Sequence, residues 1–271
     1  CVGKPKHCPG DLVHSGESGV CEDGKVQAGK KCKLHESGMA FIPEGEFTMG
    51  YVFGHADEKP EHKVHLSAFY LDKYEVTADE YKLCVEAKAC TEPKFTYGDY
   101  DKLYNYRAPG RGKHPINGVT HLQATEYCEW KGKRLPTEAE WEKAARGTDG
   151  RKYPWGNAKP TCARAMMAGC GKTKTRTVGS KPKGVSPYGV YDMAGNVWEW
   201  TSDLYDGDYY EYSPTREPKG ASFGRDRVLP GGGGAVDHDS LRSVGRRYEL
   251  AGSAGASVGF RCALSLEKST D

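Results

Sequence analysis

Thirteen residues in the second half of the chain, Tyr188–Trp200 (YGVYDMAGNVWEW), leave little freedom in how their neighbourhood can fold. Gly195-Asn196 is a turn dipeptide in which either residue accepts positive φ. Trp198 and Trp200 alternate with Glu199, so a short strand sends both indoles to one side and the carboxylate to the other. Asp192 and Glu199 bracket the turn with backbone carbonyls between them, the oxygen-rich arrangement that hard cations such as calcium favour. The same residues also read as a buried aromatic hairpin with solvated carboxylates.

A turn this dense suits a loop-rich fold, and the composition agrees. Only 37% of the 271 residues are apolar, while Gly and Pro number 35 and 15. A chain of this length can nevertheless bury roughly 70–75% of its unfolded surface. Ten cysteines point to an oxidising compartment, so the chain reads as secreted, periplasmic or displayed at the cell surface. Cys1 also fits the lipid-bearing first residue of a lipoprotein. No apolar run approaches the ~18 residues of a membrane span. The 39 basic and 37 acidic residues read as interspersed, which argues against nucleic-acid or membrane binding driven by bulk charge.

Residues 1–37 form a Cys-rich extension, in which Cys1, Cys8, Cys21 and Cys32 lie among Gly, Lys and His. Two disulfides would staple it; their pairing is open, and the spacings fit no C-x₂-C zinc framework. Residues 38–271 read as one further domain. Gly38–Gly50 predicts a hairpin turning at Pro43-Glu44-Gly45, and His62–Tyr74 predicts a strand pair. Three helices follow, each announced by a capping box: Thr77-x-x-Glu80, Thr120-x-x-Gln123 and Thr137-x-x-Glu140. Cys84 and Cys90 fit a local disulfide at the end of the first helix, and Cys162 and Cys170 fit a second. Cys128 and Cys262 remain, and would tie the second helix to a C-terminal strand, Val258–Ala263. Gly231–Gly234 is no phosphate loop, because no Gly-Lys-Ser/Thr follows.

Taken in order, GMAFIPEGEFTMG, YLDKYEVTADEY, HPINGVTHLQATEYCEWKGKRLPTEAEWEKAARG, YPWGN, VGSKPKGVSPYGVYDMAGNVWEW, a Gly-Gly segment after RVL and a terminal GFRCA resemble the formylglycine-generating-enzyme (sulfatase-modifying factor) family. The resemblance spans residues 38–264. It implies a single α+β domain with little regular secondary structure, related to C-type lectins. It also implies a structural calcium ion, held by the side chains of Asp192 and Glu199 and the carbonyls of Gly195 and Val197. A second family calcium site, after PWGN, finds no acidic side chain in CARAMMAGCGKTKTRT. The family's own disulfide between the second helix and GFRC falls on Cys128 and Cys262.

The resemblance breaks at the reactive centre. The family's oxygen-dependent enzyme uses two cysteines shortly after the Gly-Gly motif to bind copper(I) and engage a substrate thiol. Those positions fall near Val236 and Leu241, and no cysteine lies between Cys170 and Cys262. Copper is therefore not expected, since thiolates are the ligands that suit copper(I). Asp237, His238 and Asp239, followed by Arg242, Arg246 and Arg247, form a candidate ligand groove instead. The expectation is a pseudoenzyme that binds a protein or carbohydrate partner through this groove and the tyrosine-rich loops Tyr97–Tyr106 and Tyr205–Tyr212. The alternative is a metal-dependent oxidoreductase acting on a peptide, with ligands around His238.

Overall fold

The computed structural model describes residues 38–99, 102–171 and 174–266, so the N-terminal extension and its four cysteines lie outside the described residues. Strands β1 (Met39–Ile42) and β2 (Gly45–Met49) flank the expected turn but do not pair with each other. Instead β1 pairs antiparallel with β4 (Phe69–Asp72), and β2 pairs with β3 (His62–Leu66). The hairpin is thus a bent ribbon in which 39–49 runs against 62–72. Pro43 has no N–H to continue the ladder, and Gly45 takes φ 138°, so the strand kinks there rather than reversing. β9 (Ala263–Ser265) completes a three-stranded sheet in the order β1-β4-β9.

All three predicted helices are present: α1 (Ala78–Glu86), α2 (His121–Trp130) and α3 (Glu138–Arg146). Each capping box is closed in both directions, the Thr hydroxyl accepting from the third backbone N–H and the Glu or Gln accepting from the Thr N–H. α3 departs from expectation, because burial is not confined to the Trp141, Ala144 and Ala145 face. Glu138, Glu140, Glu142, Lys143 and Arg146 are buried as well. Their charges are met inside: Arg146 pairs with Glu142 at 2.8 Å, and the Lys143 ammonium donates to the carbonyls of Pro43 and Gly45.

The remainder is loop punctuated by short elements. β5 (Trp198–Glu199) runs parallel to β8 (Val258–Gly259), and β6 (Asp226–Leu229) pairs antiparallel with β7 (Arg247–Leu250). A single turn of helix, α4, covers Tyr209–Tyr212. One core packs Ile42, Phe47, Val64, Leu71 and Trp141 against Val190 and Met193. A second gathers Tyr81, Tyr127, Ile116, Trp200 and Phe260 around the second helix, and a smaller third holds Tyr153, Ala165, Met167, Ala194 and Leu241.

The three expected disulfides are formed: Cys84–Cys90, Cys162–Cys170 and Cys128–Cys262. The last links positions 134 residues apart and pins α2 beside the segment 260–262, which carries Arg261 and leads into β9. Replacing Cys128 and Cys262 together by Ala is expected to cost about 4–5 kcal/mol of unfolding free energy, read from urea denaturation. A loss under about 1 kcal/mol would mean that the loop is held closed without the bond.

Candidate functional site

The turn after Val190 is built from left-handed residues. Asp192, Gly195 and Asn196 have φ of 57°, 87° and 67°. A Cβ on Gly195 would stand 2.2 Å from the Met166 carbonyl oxygen, so only glycine fits there. Asn196 is the rivet: its N–H donates to Met166 O, its Oδ1 accepts from Arg176 N, its Nδ2 donates to Glu75 Oε2, and its carbonyl accepts from Gly234 N. Gly195 N donates to Gly231 O, which sews the turn to the four-glycine run.

Glu199 does not face solvent, contrary to the alternation expected of an aromatic hairpin. It is fully buried, and Arg261 grips both its oxygens at 2.7 Å while the Trp141 indole N–H donates to Oε2 at 2.8 Å. Arg261 also donates to the carbonyls of Asp72 and Tyr191, so it joins the turn to β4 and β9. Trp200 donates to the Val119 carbonyl, and Trp198 packs against Gly233, where a Cβ would approach its ring to 3.1 Å.

A third carboxylate was not foreseen. Glu75, in the YEVT segment before α1, is 1% exposed, and its Oε1 has no hydrogen-bond partner. Burial first, and then the charges of Asp192 and Glu199, push the Glu75 carboxyl well above the usual range. Burial likewise pushes Asp192 up to about 6, against the Gly179 N–H that it accepts at 2.6 Å and the field of Arg261. Three buried carboxylates therefore share one guanidinium. Among the described residues no three His, Cys, Asp or Glu side chains stand close enough together to hold one ion. A cation here would rest on two carboxylates and on carbonyls. The excess of buried negative charge, the orphaned oxygen of Glu75 and the all-oxygen donor set fit calcium by charge and hardness.

The groove residues are dispersed. Arg242 is clamped bidentately on Glu58, and Arg246 on Glu138 at 2.7 Å, all four side chains being buried. Arg246 also lies 4.4 Å from the Tyr210 ring centroid and 5.0 Å from that of Tyr205. Arg247 is exposed, pairs with Glu249 and sits over Trp198. Asp237 accepts from Ser240 and so caps its own turn, while His238 and Asp239 point to solvent. These side chains do not converge on a point. Val236 is half-buried and Leu241 wholly buried.

Much of the tyrosine surface also turns inward. Tyr104, Tyr106, Tyr209 and Tyr210 are buried, leaving Tyr205 stacked on Tyr248 at 4.1 Å and Tyr212 exposed. A separate cavity of about 670 Å³ lies between the starts of α2 and α3, lined by His121, Thr125, Leu135 and Lys219 among others. Burial and Arg227 lower the His121 imidazole to about 4, so it is neutral at physiological pH.

The family described as "Sulfatase-modifying factor enzyme 1-like domain" matches residues 25–266. "Serine/threonine-protein kinase pkn1" of Chlamydia pneumoniae is 40% identical over 84% of this chain, which covers 38% of that protein. The chain thus spans less than two-fifths of the length of this relative. "Formylglycine-generating enzyme" of Streptomyces coelicolor is 35% identical over 83% of this chain and 88% of its own length. The solved structure of PvdO from Pseudomonas aeruginosa superposes with a TM-score of 0.72 at 28% identity, over 84% of this chain and 94% of that one.

The burial pattern ranks the three groove arginines. Arg242→Ala and Arg246→Ala each strand a buried glutamate and are expected to cost about 3–5 kcal/mol in chemical denaturation. Arg247→Ala, at the surface, is expected to cost under about 1 kcal/mol. Equal small losses at all three would contradict the placement of Arg242 and Arg246 as internal struts.

Proposed function

Because this chain belongs to the sulfatase-modifying factor 1-like family, we propose that it keeps the family scaffold as a binding or structural module without the copper–thiolate chemistry. One observation carries the reading. Every described cysteine is locked in a disulfide, no cysteine lies between Cys170 and Cys262, and the two positions expected to bear the reactive thiols are apolar. Leu241, at one of them, has no exposed surface at all. Copper(I) would find no thiolate there. The His238 alternative draws no support from geometry, since Asp237 is tied to its own turn and the nearby arginines are paired.

In this reading the turn at Asp192–Glu199 holds calcium as a brace, through the two side chains and the carbonyls of Gly195 and Val197. The ion would offset the buried negative charge and would take no part in chemistry. Three described disulfides support residence in an oxidising compartment, and no described helix is long and apolar enough to cross a membrane. A domain that matches under two-fifths of chlamydial proteins named as kinases suits a module serving some other activity. Its partner would be a protein or a glycan.

The test is oxygen consumption. Supplied with copper(I) and a cysteine-containing peptide, the purified protein is expected to take up oxygen no faster than the same mixture without it. Sustained peptide-dependent uptake above that blank would overturn the reading.

A further inference from the structure

One stretch of this chain carries basic residues without acidic ones to balance them. From Gly150 to Tyr191 there are nine Lys and Arg residues and not one Asp or Glu. That leaves thirty basic side chains against all thirty-seven acidic ones in the other 229 residues. The net charge of +2 therefore hides a strongly basic stretch inside an acidic remainder, and the interspersion read from totals fails here.

The structure gathers part of this stretch into one patch. The Arg164 guanidinium donates to the Lys159 carbonyl at 2.9 Å, and the Lys181 ammonium donates to the Cys162 carbonyl at 2.5 Å. Gly184 lies so close to the Arg164 carbonyl that a Cβ would stand 1.9 Å from it, which brings Lys183 alongside. The Cys162–Cys170 disulfide closes the loop that carries these carbonyls. Lys159 and Lys183 are exposed, Arg164 and Lys181 half-buried, and no salt bridge to a described carboxylate is formed by any of the four. A fixed group of unneutralised cations concentrates polyanions by field and by counterion release.

We infer that the patch of Lys159, Arg164, Lys181 and Lys183 binds an acidic polysaccharide. Three observations select this class of polyanion. Among the described residues no exposed large apolar side chain falls between 150 and 191, so nothing on this face could enter a lipid bilayer. Tyr153 is buried, Trp155 is half-buried and stacked on it at 5.2 Å and 6°, and no aromatic ring of the described residues between 150 and 191 is fully exposed for base stacking. The disulfide within the patch fits the oxidising compartments where acidic glycans, rather than nucleic acids, are met. The inference deepens the glycan option of the binding-module reading and does not depend on the outcome at the four-glycine segment.

The test uses a heparin decasaccharide as probe, with binding measured by calorimetry at 50–300 mM NaCl. The wild-type chain is expected to bind with an affinity that falls steeply as salt rises. Lys159→Glu with Lys183→Glu is expected to weaken binding about tenfold or more at the lowest salt. Lys63→Glu with Lys82→Glu changes net charge equally on another face and is expected to weaken it less than about twofold. All four lysines are exposed, and matched melting temperatures establish that both variants fold. Equal losses in the two variants, no binding by the wild type, or tighter binding of phosphatidylglycerol vesicles or duplex DNA at the same salt would each overturn the inference.

Discussion

Glu199 and Arg261 form the joint on which the rest of the molecule turns. Both are completely buried, and each would be untenable alone, because an unpaired charge in the interior costs several kcal/mol. The pair joins the aromatic turn to the segment leading into β9, the Trp141 indole adds α3, and Arg261's bonds to Asp72 and Tyr191 add β4 and the chain before the turn. A fold with this much loop cannot rely on long ladders of backbone hydrogen bonds. It relies on charged pairs sealed among its loops: Glu58–Arg242, Glu138–Arg246 and Glu142–Arg146 repeat the device along the side where α3 meets the segment after the four glycines.

Local rules were legible in the sequence and long-range ones were not. The three capping boxes, the turn at Gly195-Asn196 and the short-range disulfides Cys84–Cys90 and Cys162–Cys170 each depend on a few neighbouring residues, and the long-range Cys128–Cys262 bond was legible only as the pair those two left over. The first hairpin was read one step too locally. Pro43 marks a kink as readily as a reversal, and only the pairing with 62–72 distinguishes the two. Glu75, Glu58 and Glu138 gave no signal, because a glutamate looks solvated until a distant partner (Asn196, Arg242 and Arg246 respectively) is folded against it. Tyr104, Tyr106, Tyr209 and Tyr210 were expected on the surface for the same reason: low apolar content leaves tyrosine to fill the core.

The candidate groove shows how this economy bears on function. Arg242 and Arg246 have the residue type of an anion-binding surface, yet their guanidinium groups are spent inside on Glu58 and Glu138. Leu241 fills space where the formylglycine-generating relatives are expected to present a thiol. Charge available to a partner lies instead on the acid-free stretch between Gly150 and Tyr191, where Lys159 and Lys183 are exposed. The family frame is retained, and in the proposed function the positions at its centre serve packing rather than chemistry.

Two demands on the metal content of the native protein follow from the proposed function. In the proposed function the oxygen-rich turn at Asp192–Glu199 takes up a divalent cation, and copper, with no cysteine between Cys170 and Cys262, goes unbound. Elemental analysis of the protein, purified without chelators and exhaustively desalted, measures both at once. The account predicts calcium near one ion per chain, with copper and iron at trace level. Copper or iron near one per chain, or calcium absent, would contradict it.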